Sequence, residues 1–176
     1  MRVLGIDPGL TRCGVGIVEG APGRQCRMIG VHVVRSDPQL PLPDRLVRLD
    51  TALTELVDHY RPEELAVERV FSQHNVASVI GTAQASAVAI LAGARTALPV
   101  TTYTPSEAKA AITGSGTADK KQMTAMVTRL LRLDTPPRPA DAADALALAI
   151  CHVWRGGTAA RFAAARATTS QKGARG

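Results

Sequence analysis

The sequence predicts an α/β fold built on one mixed β-sheet with at least one helical face. Three features carry this: two short apolar runs closed by glycine and proline near the N-terminus, a switch to helical periodicity between Pro43 and Tyr60, and a further apolar run at Leu65. Strand, helix and strand in that order imply a crossover that lays the later strand parallel to the first.

The run Val3-Leu4-Gly5-Ile6 stops at Asp7-Pro8-Gly9, and Gly14-Val15-Gly16-Ile17-Val18 stops at Glu19-Gly20, which reads as an antiparallel hairpin. A third strand is expected between Arg27 and Val34, before the proline-rich stretch from Pro38 to Pro43 breaks the pattern. Leu46, Leu49, Leu53, Leu56 and Val57 then recur at helical spacing, and Leu65 to Phe71 reads as the fourth strand.

Between His74 and Ala94 no formally charged residue occurs, but Asn75, Ser78, Thr82, Gln84 and Ser86 interrupt the segment and alanine outnumbers leucine and isoleucine. It is a buried helix rather than a membrane span. Its small residues Ala77, Gly81, Ala85, Ala89 and Gly93 would let another backbone approach, either that of its own sheet or that of a second subunit.

Pro99 to Tyr103 is the fifth strand, and Pro105-Ser106-Glu107 opens a short helix that ends near Thr113 at Gly114-Ser115-Gly116. Thr117 is read as the N-cap of a helix from Ala118 to Arg132, with Met123, Met126, Val127, Leu130 and Leu131 on its apolar face. Pro136, Pro137 and Pro139 mark a turn before the last helix, Ala140 to Trp154.

The chain has 176 residues with a net charge of +6, a length that suits one domain with a sizeable core. Five of those charges fall between Arg155 and Gly176, so residues 1–154 are nearly neutral and the excess sits in a basic tail able to touch polyphosphate. The tail is short of apolar bulk and is expected to be disordered. Cys13, Cys26 and Cys151 form no paired spacing, which indicates neither a disulfide framework nor a zinc site and fits a reducing cytoplasm. The apolar run that stops at Asp7 is too short for a signal peptide.

The chemistry is carried by acids. Asp141 and Asp144 lie three residues apart at the start of a helix that is apolar on every face beyond them. Either one alone could serve the helix dipole and its free N–H groups; the pair, at the mouth of a buried helix, reads as a cation site ahead of simple capping. Asp7 ends a strand before Pro-Gly, where an Asx-type turn is the plain alternative. Glu68 lies within an apolar strand beside Arg69, and the period of two sends one of them to solvent. Four carboxylates without His or Cys suit magnesium or manganese, and such a site supports phosphodiester hydrolysis.

The segments Gly5-Ile6-Asp7-Pro8-Gly9, Val67-Glu68-Arg69-Val70-Phe71, Gly114-Ser115-Gly116-Thr117-Ala118-Asp119-Lys120 and Asp141-Ala142-Ala143-Asp144-Ala145-Leu146 resemble, in order, the motifs of the RuvC family of bacterial Holliday junction resolvases. The Asp-Pro-Gly motif alone is common to other ribonuclease H-like and actin-like proteins; the four together, over residues 1–154, are specific. The resemblance implies a ribonuclease H-like fold with helices on both faces of a five-stranded sheet. It also implies a homodimer and magnesium-dependent nicking of two strands of like polarity at a four-way junction, in homologous recombination and DNA repair, with manganese as a substitute ion.

By the same resemblance Asp7, Glu68, Asp141 and Asp144 are metal ligands, Lys120 lies near the scissile phosphate, and Lys109 and Phe71 touch DNA. Each lysine could otherwise belong to a solvated helix face, and Phe71 to the core. RuvA and RuvB are the implied protein partners. Where many members carry Gly-x-Ala-Arg-Gly, this chain has Gly81-Thr82-Ala83-Gln84-Ala85, so no arginine phosphate contact carries over.

The same residues allow rival readings. Another ribonuclease H-like nuclease would keep the acids and act on a different branched or hybrid substrate. A non-catalytic junction binder would bind without regard to magnesium. An actin-like phosphotransferase needs two such domains, for which the chain is too short.

Overall fold

A computed structural model describes residues 1–23, 25–70 and 76–155, with the side chains of residues 76–78 outside the description. Its sheet has five strands in the order β3-β2-β1-β4-β5: β1 (Arg2–Asp7), β2 (Arg12–Glu19), β3 (Arg27–Arg35), β4 (Glu64–Glu68) and β5 (Val100–Tyr103). The first three strands are antiparallel neighbours, whereas β4 runs parallel to both β1 and β5. The expected crossover is therefore present, supplied by α1 (Leu42–Tyr60).

The alternation of side chains splits the core in two. Leu4, Ile6, Val15, Ile17, Leu65 and Val67 face α1 and α2 (Val76–Arg95), meeting Leu49, Leu53, Val57, Ala85, Ala89 and Ala92. Val3, Val18 and Ala66 face the other way, toward α3 (Pro105–Thr113), α4 (Lys120–Leu130) and α5 (140–155). Helices thus cover both faces. Each fully buried leucine or isoleucine here is worth roughly 1.5–3 kcal/mol of transfer free energy.

Helix α5 is buried along nearly its whole length, from Ala145 to Val153, as its sequence requires. The strand residues beneath it are glycines. A Cβ on Gly5 would overlap the carbonyl oxygen of Ala145, one on Gly14 that of Asp141, and one on Gly16 would lie 2.7 Å from the backbone nitrogen of Leu146. Gly5 on β1 and Gly14 and Gly16 on β2 therefore form a flat track that lets helix backbone rest on strand backbone.

The small residues of α2 serve its own sheet: Ala85 and Ala89 are fully buried, and a Cβ on Gly93 would run into Val100 and Leu65. The opposite stripe, Ile80, Ala83, Ala87, Ile90, Leu91 and Ala94, is exposed. Among the described residues no helix is long and apolar enough to cross a membrane.

Several boundaries differ from expectation; β2, for one, begins at Arg12, two residues before the expected run. Strand β4 stops at Glu68 rather than Phe71 because its partner β5 ends at Tyr103, the residue paired with Glu68, where Thr104 begins to cap α3. Thr104 builds a capping box with Glu107, a signal missed in the sequence. Helix α4 is capped by Asp119, not Thr117: the Asp119 carboxylate accepts from the Gln122 N–H, whereas the Thr117 hydroxyl meets that of Ser115. The helix ends at Leu130, and Arg132 is left-handed with φ 52°. The three cysteines are buried and free.

Candidate active site

Ile6 of β1 pairs with Val67 of the parallel strand β4, so the next residues, Asp7 and Glu68, end neighbouring strands at the same rim. The period of two turns both toward the α3–α5 side, Asp7 in line with Val3 and Gly5, Glu68 in line with Ala66. The glycine track brings the first turn of α5 over that rim. Asp7, Glu68 and Asp144 accordingly line one cavity of about 250 Å³, together with Lys109 of α3 and Lys120 of α4.

Burial, together with the crowding of acids, sets the electrostatics. Burial, reinforced by the charges of Glu68, Asp144 and Asp141 and opposed by Lys120, pushes the Asp7 carboxyl up to about 8. Burial and Asp144 push Glu68 up to about 7 against the pull of Lys120 and Lys109. Asp144 is also raised, chiefly by burial, with Lys120 opposing. Lys120 Nζ stands 3.7 Å from Asp144 Oδ2. A cavity in which carboxylates resist ionisation until a positive charge arrives is suited to a cation, and the all-oxygen donor set suits a hard divalent one.

Asp141 takes a different position. It does not line the cavity; its Oδ2 accepts from Arg12 Nε at 2.8 Å and lies 2.6 Å from Arg12 Nη2. Among the described residues no three His, Cys, Asp or Glu side chains are gathered closely enough to enclose an ion as they stand.

Arg69 points to the opposite face from Glu68 and donates to the Thr102 hydroxyl, Nη2 to Oγ1 3.1 Å, so the exposed member of the pair is the arginine. Phe71 and the basic tail beyond Arg155 lie outside the described residues. Gln84 is half-buried on α2.

Two features escaped the sequence reading. Arg12, the first residue of β2, carried no motif; its charge at a strand start was the available signal. His152 is a lone polar residue in the apolar run of α5, and buried polar groups need partners. Its Nδ1 is 2.9 Å from the Tyr103 hydroxyl and its Nε2 2.7 Å from Glu64 Oε2, which ties α5 to β4 and β5 beneath the site.

A mixed five-stranded sheet, helices on both faces and acids at the ends of its two central parallel strands define a ribonuclease H-like protein. A sequence profile of the family described as crossover junction endodeoxyribonuclease RuvC matches residues 3–152. The crossover junction endodeoxyribonuclease RuvC of Salinispora arenicola is 72% identical over 175 residues, covering 99% of this chain and 100% of that one. Among solved structures, Thermus thermophilus RuvC in complex with Holliday junction substrate superimposes with a TM-score of 0.85 at 33% identity, covering 90% of this chain and 96% of that one. The yeast mitochondrial Holliday junction resolvase Ydc2 shares the fold at a TM-score of 0.60 and 13% identity, over 89% of this chain and 81% of that one. The chain belongs to the RuvC family of crossover junction endodeoxyribonucleases.

Proposed function

We propose that this protein resolves Holliday junctions by nicking two strands of like polarity, one in each active site of a homodimer. The observation that carries the reading is the convergence of Asp7, Glu68 and Asp144 on one cavity flanked by Lys109 and Lys120, in a family whose Thermus thermophilus member was solved with a junction substrate.

In this reading Asp7, Glu68 and Asp144, joined by Asp141, hold magnesium, and the donor chemistry of the cavity fits that ion. Bound divalent ions supply activation of the attacking water and stabilisation of the leaving 3′ oxygen. Lys120 offsets the charge of the phosphate that enters beside Asp144, and Lys109, which lines the same cavity, adds to it. Burial among α3, α4 and α5 keeps the carboxylates fixed and partly dry, which strengthens their pull on a cation. Phe71, three residues after Glu68, would meet unpaired bases.

The exposed apolar stripe of α2, with Ile80 at 53% and Leu91 at 44% exposure, supports a two-fold homodimer. Such symmetry matches a four-way junction and delivers one site to each of two strands. RuvA and RuvB as partners, manganese as a substitute ion, a cytoplasmic location and a DNA-affine tail beyond Arg155 complete the proposal.

The test is a synthetic four-way junction incubated with wild type and Asp7→Asn, with and without magnesium, beside linear duplex and RNA–DNA hybrid. Symmetric nicks appear only on the junction, only with wild type and only with metal, while the variant still binds. Equal cleavage of the hybrid, or nicking by Asp7→Asn, overturns the reading.

A further inference from the structure

The four acids are not equivalent. Three line the cavity, whereas Asp141 spends its Oδ2 on two nitrogens of Arg12, at 2.8 and 2.6 Å. Both members of this pair stand on rigid supports. Arg12 opens β2 in register with Arg35 of β3, and Asp141 lies in the first turn of α5, whose backbone is seated against Gly14. The contact is therefore built into the meeting of strand and helix. Its arginine half is the freer one, with the Arg12 side chain 42% exposed and that of Asp141 25%.

A guanidinium on a carboxylate does part of what a metal ion does: it supplies positive charge and engages the oxygen lone pairs. The two cannot share Oδ2 at full strength, and a fixed positive charge beside the cavity also repels an arriving cation. We infer that Arg12 is an internal competitor of the divalent ion for Asp141, a positioning residue that holds this carboxylate out of the cavity until metal displaces it. The inference rests on the metal-site reading above, and it adds a control on how tightly that site fills.

Removing the competitor should tighten ion binding in the absence of DNA. A partly exposed ion pair limits the gain to about fivefold. Manganese binding to the full-length, DNA-free protein is followed by electron paramagnetic resonance of the free ion at low ionic strength. Arg12→Gln is expected to lower the Kd for manganese about fivefold, and the gain is expected to vanish when Asp141→Asn is added, because the two residues act through one contact. A purely structural clamp would instead lower the melting temperature of the metal-free variant and leave manganese affinity unchanged or weaker, which overturns the inference. Asp7→Asn separates the two levels. If it abolishes manganese binding while Arg12→Gln changes nothing, the competitor role alone fails; if it leaves binding intact, the site reading fails and the inference falls with it.

Discussion

Gly16 of β2 and Leu146 of α5 meet backbone to backbone: a Cβ added to Gly16 would stand 2.7 Å from the Leu146 nitrogen. No side chain can be inserted there without lifting the helix. Since the same helix carries Asp144 into the cavity, Gly16→Ala is expected to lower stability by about 1–3 kcal/mol through overpacking. It is also expected to reduce nicking beyond what the remaining folded fraction explains. Urea unfolding alongside a junction-cleavage assay checks both; full stability with full activity would show that α5 does not depend on the track.

That track marks the limit of what the residues alone disclosed. Apolar runs closed by turn residues located all five strands, and helical spacing, composition and breakers located the helices between them, because these are local properties of the chain. Asp7, Glu68 and Asp144 were legible only in combination: each acid inside or beside an apolar run has a plain local explanation, and it is their recurrence, with the ordered motifs, that marks them. Seating α5 on Gly5, Gly14 and Gly16 was not legible, although Gly14 and Gly16 already share a face by the period of two, because the absence of a side chain signals nothing until the opposing backbone is known. The Arg12–Asp141 pair spans 129 positions, and no spacing rule reaches that far. The end of β4 at Glu68 was likewise decided by its partner strand.

The crowded carboxylates make a specific claim about pH. Asp7 in the folded, metal-free protein titrates at about 8 and Glu68 at about 7, whereas both titrate near 4 when unfolded. The folded state thus binds more protons across that window, and linkage makes its stability fall as pH rises from about 4 towards about 8. In chelator, the melting temperature is expected to decline over this range. Asp7→Asn carries no charge to bury, so it should flatten the decline and melt higher than wild type at the alkaline end. A parallel decline in wild type and variant would remove Asp7 from the account. Added magnesium should stabilise wild type most at the alkaline end, where the carboxylates are ionised.

His152 joins Tyr103 and Glu64 through its two ring nitrogens, at 2.9 and 2.7 Å. Replacing it with Phe keeps the bulk and leaves the Tyr103 hydroxyl and one Glu64 oxygen without a partner inside the fold. An unpaired buried group costs about 1–3 kcal/mol; the Tyr103 hydroxyl is buried whereas the Glu64 side chain, 29% exposed, can turn to water, so His152→Phe should be destabilised by about 1–3 kcal/mol in urea. Tyr103→Phe on its own should cost less, because His152 keeps Glu64. Combining the two should cost less than the sum of the single changes, since the hydroxyl orphaned by the first is absent in the second.

Lys120 offers the cleanest separation of fold from chemistry. Its side chain is 78% exposed and 3.7 Å from Asp144 Oδ2, a solvent-screened contact that contributes at most about 1 kcal/mol to stability. Loss of a positive group aimed at a reacting phosphate, by contrast, commonly lowers turnover by about 100-fold or more. Lys120→Ala should therefore melt close to wild type, bind the four-way junction, and nick it about 100-fold more slowly. Lys109 of α3 lines the same cavity and is half-buried, and Lys109→Ala should show a smaller kinetic loss with a larger structural one. Single-turnover cleavage at saturating protein reads the difference directly. Unchanged single-turnover rates in Lys120→Ala would return that lysine to the role of a solvated helix residue, and the phosphate would then have to be neutralised from Lys109 or from the bound ions.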